Sequence, residues 1–166
     1  MNLQYYRCHD NAQPPTNEHP SAGWDFYCVS DETFSDGFGP KLGRMLHPGD
    51  SHIFHTGIKA SFTPGHVGIF MDRSGMGAKR KIHCMGAVLE TDGLHRLAGV
   101  IDSDYRGEWM VSLINLGHMD QIIWAGDKII QCVFHRIPSV NLEEAFSQDQ
   151  LDWTMRGEKG FGSSGQ

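Results

Sequence analysis

Twenty glycines and seven prolines are spread along the 166 residues, and they cut the chain into pieces too short for long helices. Between the breaks lie runs with the apolar and β-branched content of strands. Residues 51–56 follow the turn His47–Pro48–Gly49–Asp50, and residues 67–71 follow Thr63–Pro64–Gly65. Residues 109–116 form an almost continuous apolar run with Trp109, Val111 and Leu113 on one side. Residues 128–134 follow the turn Ala125–Gly126–Asp127. Both faces of the later runs are apolar, as in a sheet covered on both sides. Short strands between frequent turns predict a sandwich, jelly roll or barrel. Two short helical stretches are also predicted, one starting at Ser74 and including Met76, Ala78 and Lys79, the other over residues 139–146. No internal repeat or second domain is evident.

Charge narrows the functional classes. Fourteen basic residues stand against 20 acidic ones, a net charge of −6, which argues against a general grip on nucleic acid. The longest basic run, Lys79–Arg80–Lys81, reads as solvated surface. Residues 1–20 are polar and lack an apolar signal core, and no run reaches membrane-spanning length. The expected setting is the cytoplasm, or the host cytoplasm for a viral or phage protein. Cys8, Cys28, Cys84 and Cys132 form no Cys-x-x-Cys pair and are expected to be reduced and largely buried. His52 and His55, three apart in a strand, face opposite sides and complete no zinc set.

Three segments have the composition of a phosphate-handling site. Arg73–Ser74–Gly75 combines a guanidinium, a hydroxyl and a small residue at a predicted helix start, where backbone N–H groups favour anions. Residues 156–165 are rich in glycine, permitting close backbone approach, with Arg156, Ser163 and Ser164 as donors. They lack the Gly-Lys-Ser ending of a P-loop. Asp102 and Asp104 flank a serine, a spacing that puts both carboxylates on one side of a strand. Each segment alone fits an ordinary surface turn.

In this order the segments resemble the five motifs of the homotrimeric dUTPase family. The matching pieces are Ala22–Gly23–Trp24–Asp25, Asp72–Arg73–Ser74–Gly75 with the Thr56–Gly57 pair before it, residues 99–108 running on to Asn115, Gly126–Asp127–Lys128–Ile129–Ile130–Gln131, and residues 156–165. The resemblance runs from about residue 21 to the end. It implies an all-β, distorted jelly-roll or β-sandwich fold and a homotrimer with exchanged C-terminal arms. It also implies a β domain over residues 1–155 and a flexible glycine-rich lid over residues 156–166.

The implied activity is Mg²⁺-dependent hydrolysis of dUTP to dUMP and pyrophosphate, with water attacking the α-phosphorus. By resemblance, Asp102 is the general base that positions the water. Tyr105 lies against the deoxyribose and excludes a 2′-hydroxyl. The hairpin over residues 94–101, including Gly99 and Ile101, reads uracil through its backbone. Ser74 and Gly75 meet the bridging oxygen and phosphates at the scissile bond; Arg73, Gln131 and Arg156 meet the phosphate chain. Asp25 helps hold hydrated Mg²⁺ through water. Phe161 caps the uracil when the tail closes, with Gly162, Ser163 and Ser164 in the same lid.

The chain departs from the family pattern in two places. Residues 76–98 are longer than the usual spacing, with Glu90–Thr91–Asp92–Gly93 as an inserted turn and Arg96 on the approach to the uracil hairpin; a longer surface hairpin is the simplest expectation. Residues 30–46 read as a second insertion, forming a loop. These inserts motivate an alternative: a protein of the same fold with an added regulatory role through a protein partner. A dCTP deaminase, which shares the fold, needs a glutamate after the third motif where this chain has Ser112. A purely structural jelly-roll protein has no need of all five motifs.

Overall fold

The computed structural model describes residues 1–18, 21–30, 32–35, 39–88 and 99–158. Within them run eleven strands: β1 (Leu3–Arg7), β2 (Gly23–Tyr27), β3 (Thr33–Ser35), β4 (Pro40–Leu46), β5 (Ser51–Phe62), β6 (His66–Met71), β7 (Ile82–Val88), β8 (Val100–Asp102), β9 (Glu108–Asn115), β10 (Gln121–Trp124) and β11 (Lys128–Arg136). They form three sheets, in the orders β1-β5-β9-β7, β2-β11-β6-β8 and β10-β4-β3. Every ladder between these strands is antiparallel. The two helical pieces are a π-helical segment, Gly75–Arg80, and a 3₁₀ turn, Gln148–Gln150. The all-β expectation holds.

Trp109 shows how the two four-stranded sheets are joined. It sits fully buried on β9. From the opposite sheet, Phe26 of β2, Phe70 of β6 and Phe134 of β11 approach it at centroid distances of 5.2, 6.1 and 6.4 Å. Phe62 of its own sheet meets it edge-on at 6.1 Å. Tilted and edge-to-face rings satisfy the aromatic quadrupole while filling the space between sheets. Val111 and Leu113 share the Trp109 side of β9 and are equally buried, as the sequence spacing predicts.

One bulge in this frame depends on glycine. Gly57 adopts φ +66°, and a Cβ there would lie 2.6 Å from Ala12 Cβ. The preceding Thr56 is fully buried, and its hydroxyl donates to the Trp109 carbonyl at 2.6 Å. The Thr56–Gly57 pair therefore shapes the bulge between His55 and Lys59 of β5, and serves the fold.

Several expectations need correction. Residues 30–46 are no simple loop: β3 and β4 pair with each other, and β4 pairs with β10. The extended segment after Gly75 is no surface hairpin over its first half. Its residues form the π-helical segment and then β7, an edge strand paired along β9. The helix expected over residues 139–146 does not form, because Leu142 and Phe146 are 97% and 91% exposed and an isolated two-turn helix needs packing to persist. Helical structure does begin after Ser74, as predicted, but as a π-helix. Residues 89–98, with the inserted turn and Arg96, lie outside the described residues, as do residues 159–166 of the lid.

No disulfide joins the cysteines. Cys28 and Cys132 are buried, while Cys8 and Cys84 are partly exposed, so only half of the burial expectation holds. Burial pushes the Cys28 and Cys132 thiols up to about 12, which leaves them protonated and unreactive at neutral pH. Titration of the native protein with a thiol reagent should leave these two unmodified, and unfolding should expose all four. Rapid native modification of Cys132 would contradict the packing.

Candidate functional site

One end of the β2-β11-β6 sheet gathers three sequence motifs. Gln131 of β11 stands opposite Asp25 of β2 on one side and opposite Met71 of β6 on the other. The chain leaves β6 through Asp72 and Arg73, so Arg73 and Ser74 arrive beside Asp25. The Arg73 Nε donates to Asp25 Oδ1 at 2.7 Å, and Nη1 donates to the Lys128 carbonyl at 3.2 Å. Lys128 Nζ lies 3.2 Å from Asp25 Oδ2 and 2.8 Å from Glu18 Oε1. The hydrogen bond that Lys128 donates to Glu18, with help from Asp25, holds the Lys128 ammonium above its ordinary pKa against the desolvation that lowers it.

These groups line an open cleft of about 270 Å³ that also takes in Ser74 and Gln131. Gly23 forms part of its wall because a Cβ there would lie 2.8 Å from Gln131 Oε1. Arg73 and Lys128 supply donors to the cleft, their charge balanced by Asp25 and Glu18 on the same walls, and Asp25 fixes where the guanidinium points. The helical turn contributes at its first residues. The Met76 and Gly77 amides are both spent on the Arg73 carbonyl at 2.9 Å.

The third motif lies elsewhere. Asp102 ends β8 with its side chain exposed, while the preceding Ile101 is fully buried in the core. Ile101 can therefore meet a ligand only through its backbone. The Gly99 carbonyl is already taken by the Phe70 amide at 2.7 Å. Asp104 does not share a strand face with Asp102, because the strand ends and the chain turns, with the Tyr105 amide donating to the Asp102 carbonyl at 3.2 Å. The turn corrects the paired-carboxylate expectation. Tyr105 folds over Gly107, where a Cβ would lie 2.0 Å from its hydroxyl, and that hydroxyl donates to the Glu108 carbonyl at 3.3 Å.

Two further motif residues serve the fold. Glu108 accepts from the Gly57 amide at 2.7 Å and from His55 Nδ1 at 3.0 Å. Burial pushes its carboxyl up, yet those hydrogen bonds outweigh burial and hold it below its ordinary pKa. Its contribution to stability is thus present above the ordinary carboxylate range and is lost as pH falls through the lowered value. Asn115 is fully buried and donates to the Leu46 and Met119 carbonyls at 3.0 and 2.9 Å, tying the end of β9 to neighbouring segments.

Asp102 and the Arg73–Ser74 turn do not meet within one chain. Asp102 pairs with Val67 near the start of β6, whereas Arg73 follows its end. At a rise of roughly 3.3 Å per residue the strand from Val67 to Met71 alone spans about 13 Å. Arg156 lies in the exposed stretch after β11. Phe161, Gly162, Ser163 and Ser164 fall outside the described residues. Sequence reading missed Glu18 and the Lys128 side chain as parts of the cleft. They pair across 110 positions, a separation that leaves no local signal. Among the described residues, no three His, Cys, Asp or Glu side chains converge as a metal cage.

The fold and cleft define a class, an all-β sandwich domain with an open cleft at a sheet end lined by Arg73, Lys128 and the carboxylates of Asp25 and Glu18. Comparison with known proteins makes this specific: the family model described as dUTPase matches residues 10–165, and the chain belongs to that family. A deoxyuridine 5′-triphosphate nucleotidohydrolase of Wolinella succinogenes is 36% identical over 167 residues, covering 100% of this chain and 95% of the relative. One from Corynebacterium jeikeium is 34% identical over 153 residues, covering 91% and 84%. Among solved structures, a variant of the Staphylococcus bacteriophage 80alpha dUTPase with dUpNHpp shares the fold. Its TM-score is 0.74 at 24% identity, covering 99% of this chain and 98% of that one. A phage phi11 dUTPase variant, described as coordinating a structural Mg(II) ion, has a TM-score of 0.68 at 22% identity, covering 89% and 98%.

Proposed function

We propose that this chain hydrolyses dUTP to dUMP and pyrophosphate, as its curated relatives are named for doing. The observation that carries the reading is the cleft itself. Asp25, Arg73, Ser74 and Gln131 come from three separated motifs, and the sheet register brings them to one cleft that offers guanidinium and hydroxyl donors. Asp102 serves as the general base. Its exposed carboxylate takes a proton from water as that water attacks the α-phosphorus. The bond from the α-phosphorus to the bridging oxygen breaks, and pyrophosphate leaves with the bonding electron pair. Ser74 and Gly75 meet the phosphates next to that bond, and Arg73 holds the chain by charge-assisted hydrogen bonds. Tyr105 packs against the deoxyribose, and the hairpin leading into β8 reads uracil.

Asp25 fits an outer-shell role toward hydrated Mg²⁺. Its carboxylate is already paired with Arg73 and Lys128, which suits accepting from a metal-bound water better than direct ligation. When bound, Mg²⁺ would neutralise charge on the phosphate chain.

The separation of Asp102 from Arg73 supports a homotrimer whose sites lie between subunits. Residues 137–158 support the exchanged arm. They follow the last strand, are exposed throughout, and carry Val140, Leu142, Phe146 and Trp153 at 77–97% exposure, an apolar load that a neighbouring copy would cover. The proposed compartment is the cytoplasm, where unpaired thiols stay reduced. For the alternative regulatory role, both described inserts form edge strands, β3 of the β10-β4-β3 sheet and β7 beside β9, where a partner could add.

Removing residues 156–166 should abolish most dUTP turnover while leaving thermal unfolding nearly unchanged, since the part of this lid within the described residues is exposed. Full activity in the truncated protein would refute the lid. Assays with Mg²⁺ against dUTP, dTTP, dCTP and UTP should show strong preference for dUTP, and a flat profile would refute the uracil and deoxyribose assignments.

A further inference from the structure

Asp72 places a carboxylate two residues from Ser74, where it would repel a triphosphate if it faced the cleft. It faces away. Its Oδ1 accepts from the Cys84 amide at 2.6 Å, and its Oδ2 accepts from His83 Nδ1 at 2.8 Å. Both partners belong to β7. The backbone carbonyl of Asp72 meanwhile accepts from Gln131 Nε2 at 2.9 Å. The residue therefore ties the end of β6 to β7 through its side chain and to β11 through its backbone. The Arg73–Ser74–Gly75 turn starts at the next residue, and the Met76 and Gly77 amides close back onto the Arg73 carbonyl. Gly77 packs over the pair, since a Cβ there would sit 3.5 Å from both Asp72 Oδ2 and His83 Cε1.

We propose that Asp72 is a positioning residue of the phosphate cleft, clamping the Arg73–Ser74 turn between β7 and β11 so that its donors are fixed before a triphosphate arrives. The inference rests on the reading of Arg73 and Ser74 as phosphate-binding. It also gives Gln131 a second task, since its amide nitrogen holds the turn. The clamp costs little to maintain because it uses a charge-assisted bond from a backbone amide, and its effect is on the ordering of the turn.

Steady-state hydrolysis of dUTP, with deoxyuridine as a competitive inhibitor, tests the proposal. Asp72→Ala should raise KM for dUTP about tenfold, the scale of one lost hydrogen bond to a charged group. The inhibition constant of deoxyuridine, which has no phosphate, should stay unchanged. Asp72→Asn, which keeps an acceptor for the Cys84 amide, should recover most of the loss. Combined with Arg73→Ala, the Asp72→Ala change should add little further, because both act on one interaction. Equal weakening of dUTP and deoxyuridine, or full additivity with Arg73→Ala, would overturn the clamp. If Arg73→Ala alone leaves KM for dUTP unchanged, the phosphate reading fails and the clamp fails with it. A clamp failure with an intact phosphate reading shows instead as a normal KM in Asp72→Ala beside a raised one in Arg73→Ala.

Discussion

Asp102→Asn is expected to lower kcat for dUTP by about 10²- to 10⁴-fold, the usual share of general-base catalysis, with KM and assembly little changed. The argument is structural as well as chemical. Asp102 is the last residue of β8, and its neighbour Ile101 is buried in the core between the two sheets. Alternation along the strand then directs the Asp102 side chain to the outside. Its backbone carbonyl is fixed by the Tyr105 amide, so the carboxylate projects from a defined corner. The amide of asparagine fits the same space and keeps an acceptor oxygen, but it does not take up a proton at neutral pH. Loss of binding in parallel with loss of turnover would point to a structural role instead. Near-normal turnover would remove Asp102 from the reaction.

The strands that were legible in the sequence share a property. β5, β6 and β11 are entered through Pro-Gly or Gly-Asp turns, β9 follows Gly107, and all four carry apolar runs that mark a covered sheet. β4 was not legible, because Gly43 and the charges at Lys41 and Arg44 look like a loop. In the fold, Gly43 lies beneath the Trp124 ring of β10, where a Cβ would be 2.5 Å from the ring. The glycine marks close packing and not a break. β1 is polar in composition and four of its five residues are exposed, so it pairs with β5 by backbone bonds without an apolar signature. β8 is three residues long, below the length at which alternation carries information.

The candidate site was legible to a different depth. Asp25, Arg73, Ser74 and Gln131 were recognisable from motif order, and the sheet brings them together. Their partners were not recognisable. Glu18 reaches Lys128, and Asp72 reaches His83 and Cys84, through contacts that follow from tertiary register. The paired-carboxylate expectation for Asp102 and Asp104 failed because it assumed that a strand continued where a turn begins. Spacing predicts shared faces only inside an element whose ends are known.

Two impaired variants should restore activity when mixed within one oligomer and assayed at dUTP below the native KM. Asp102 pairs with Val67 and Arg73 follows Met71, so β6 alone keeps them about 13 Å apart at ordinary strand rise. A general base must reach its proton directly or through one water, and aspartate and serine side chains do not close that gap. Within a single subunit, Asp102 therefore cannot activate a water against a phosphate held at Arg73 and Ser74. In the proposed ring of identical subunits joined head to tail, each Asp102 would act on the cleft of a neighbour. Co-expressed Asp102→Asn and Arg73→Ala chains, carrying different tags and purified as mixed oligomers, then contain some sites with both residues intact. Every mixed trimer, whether it holds one or two copies of either variant, contains one site in three with both residues intact, so recovery of about a third of the native activity is expected. Either variant alone stays strongly impaired at that dUTP concentration. If each site were built from one chain, every site in the mixture would carry a defect. Activity no higher than the average of the two parents would then show that Asp102 and Arg73 act within one subunit.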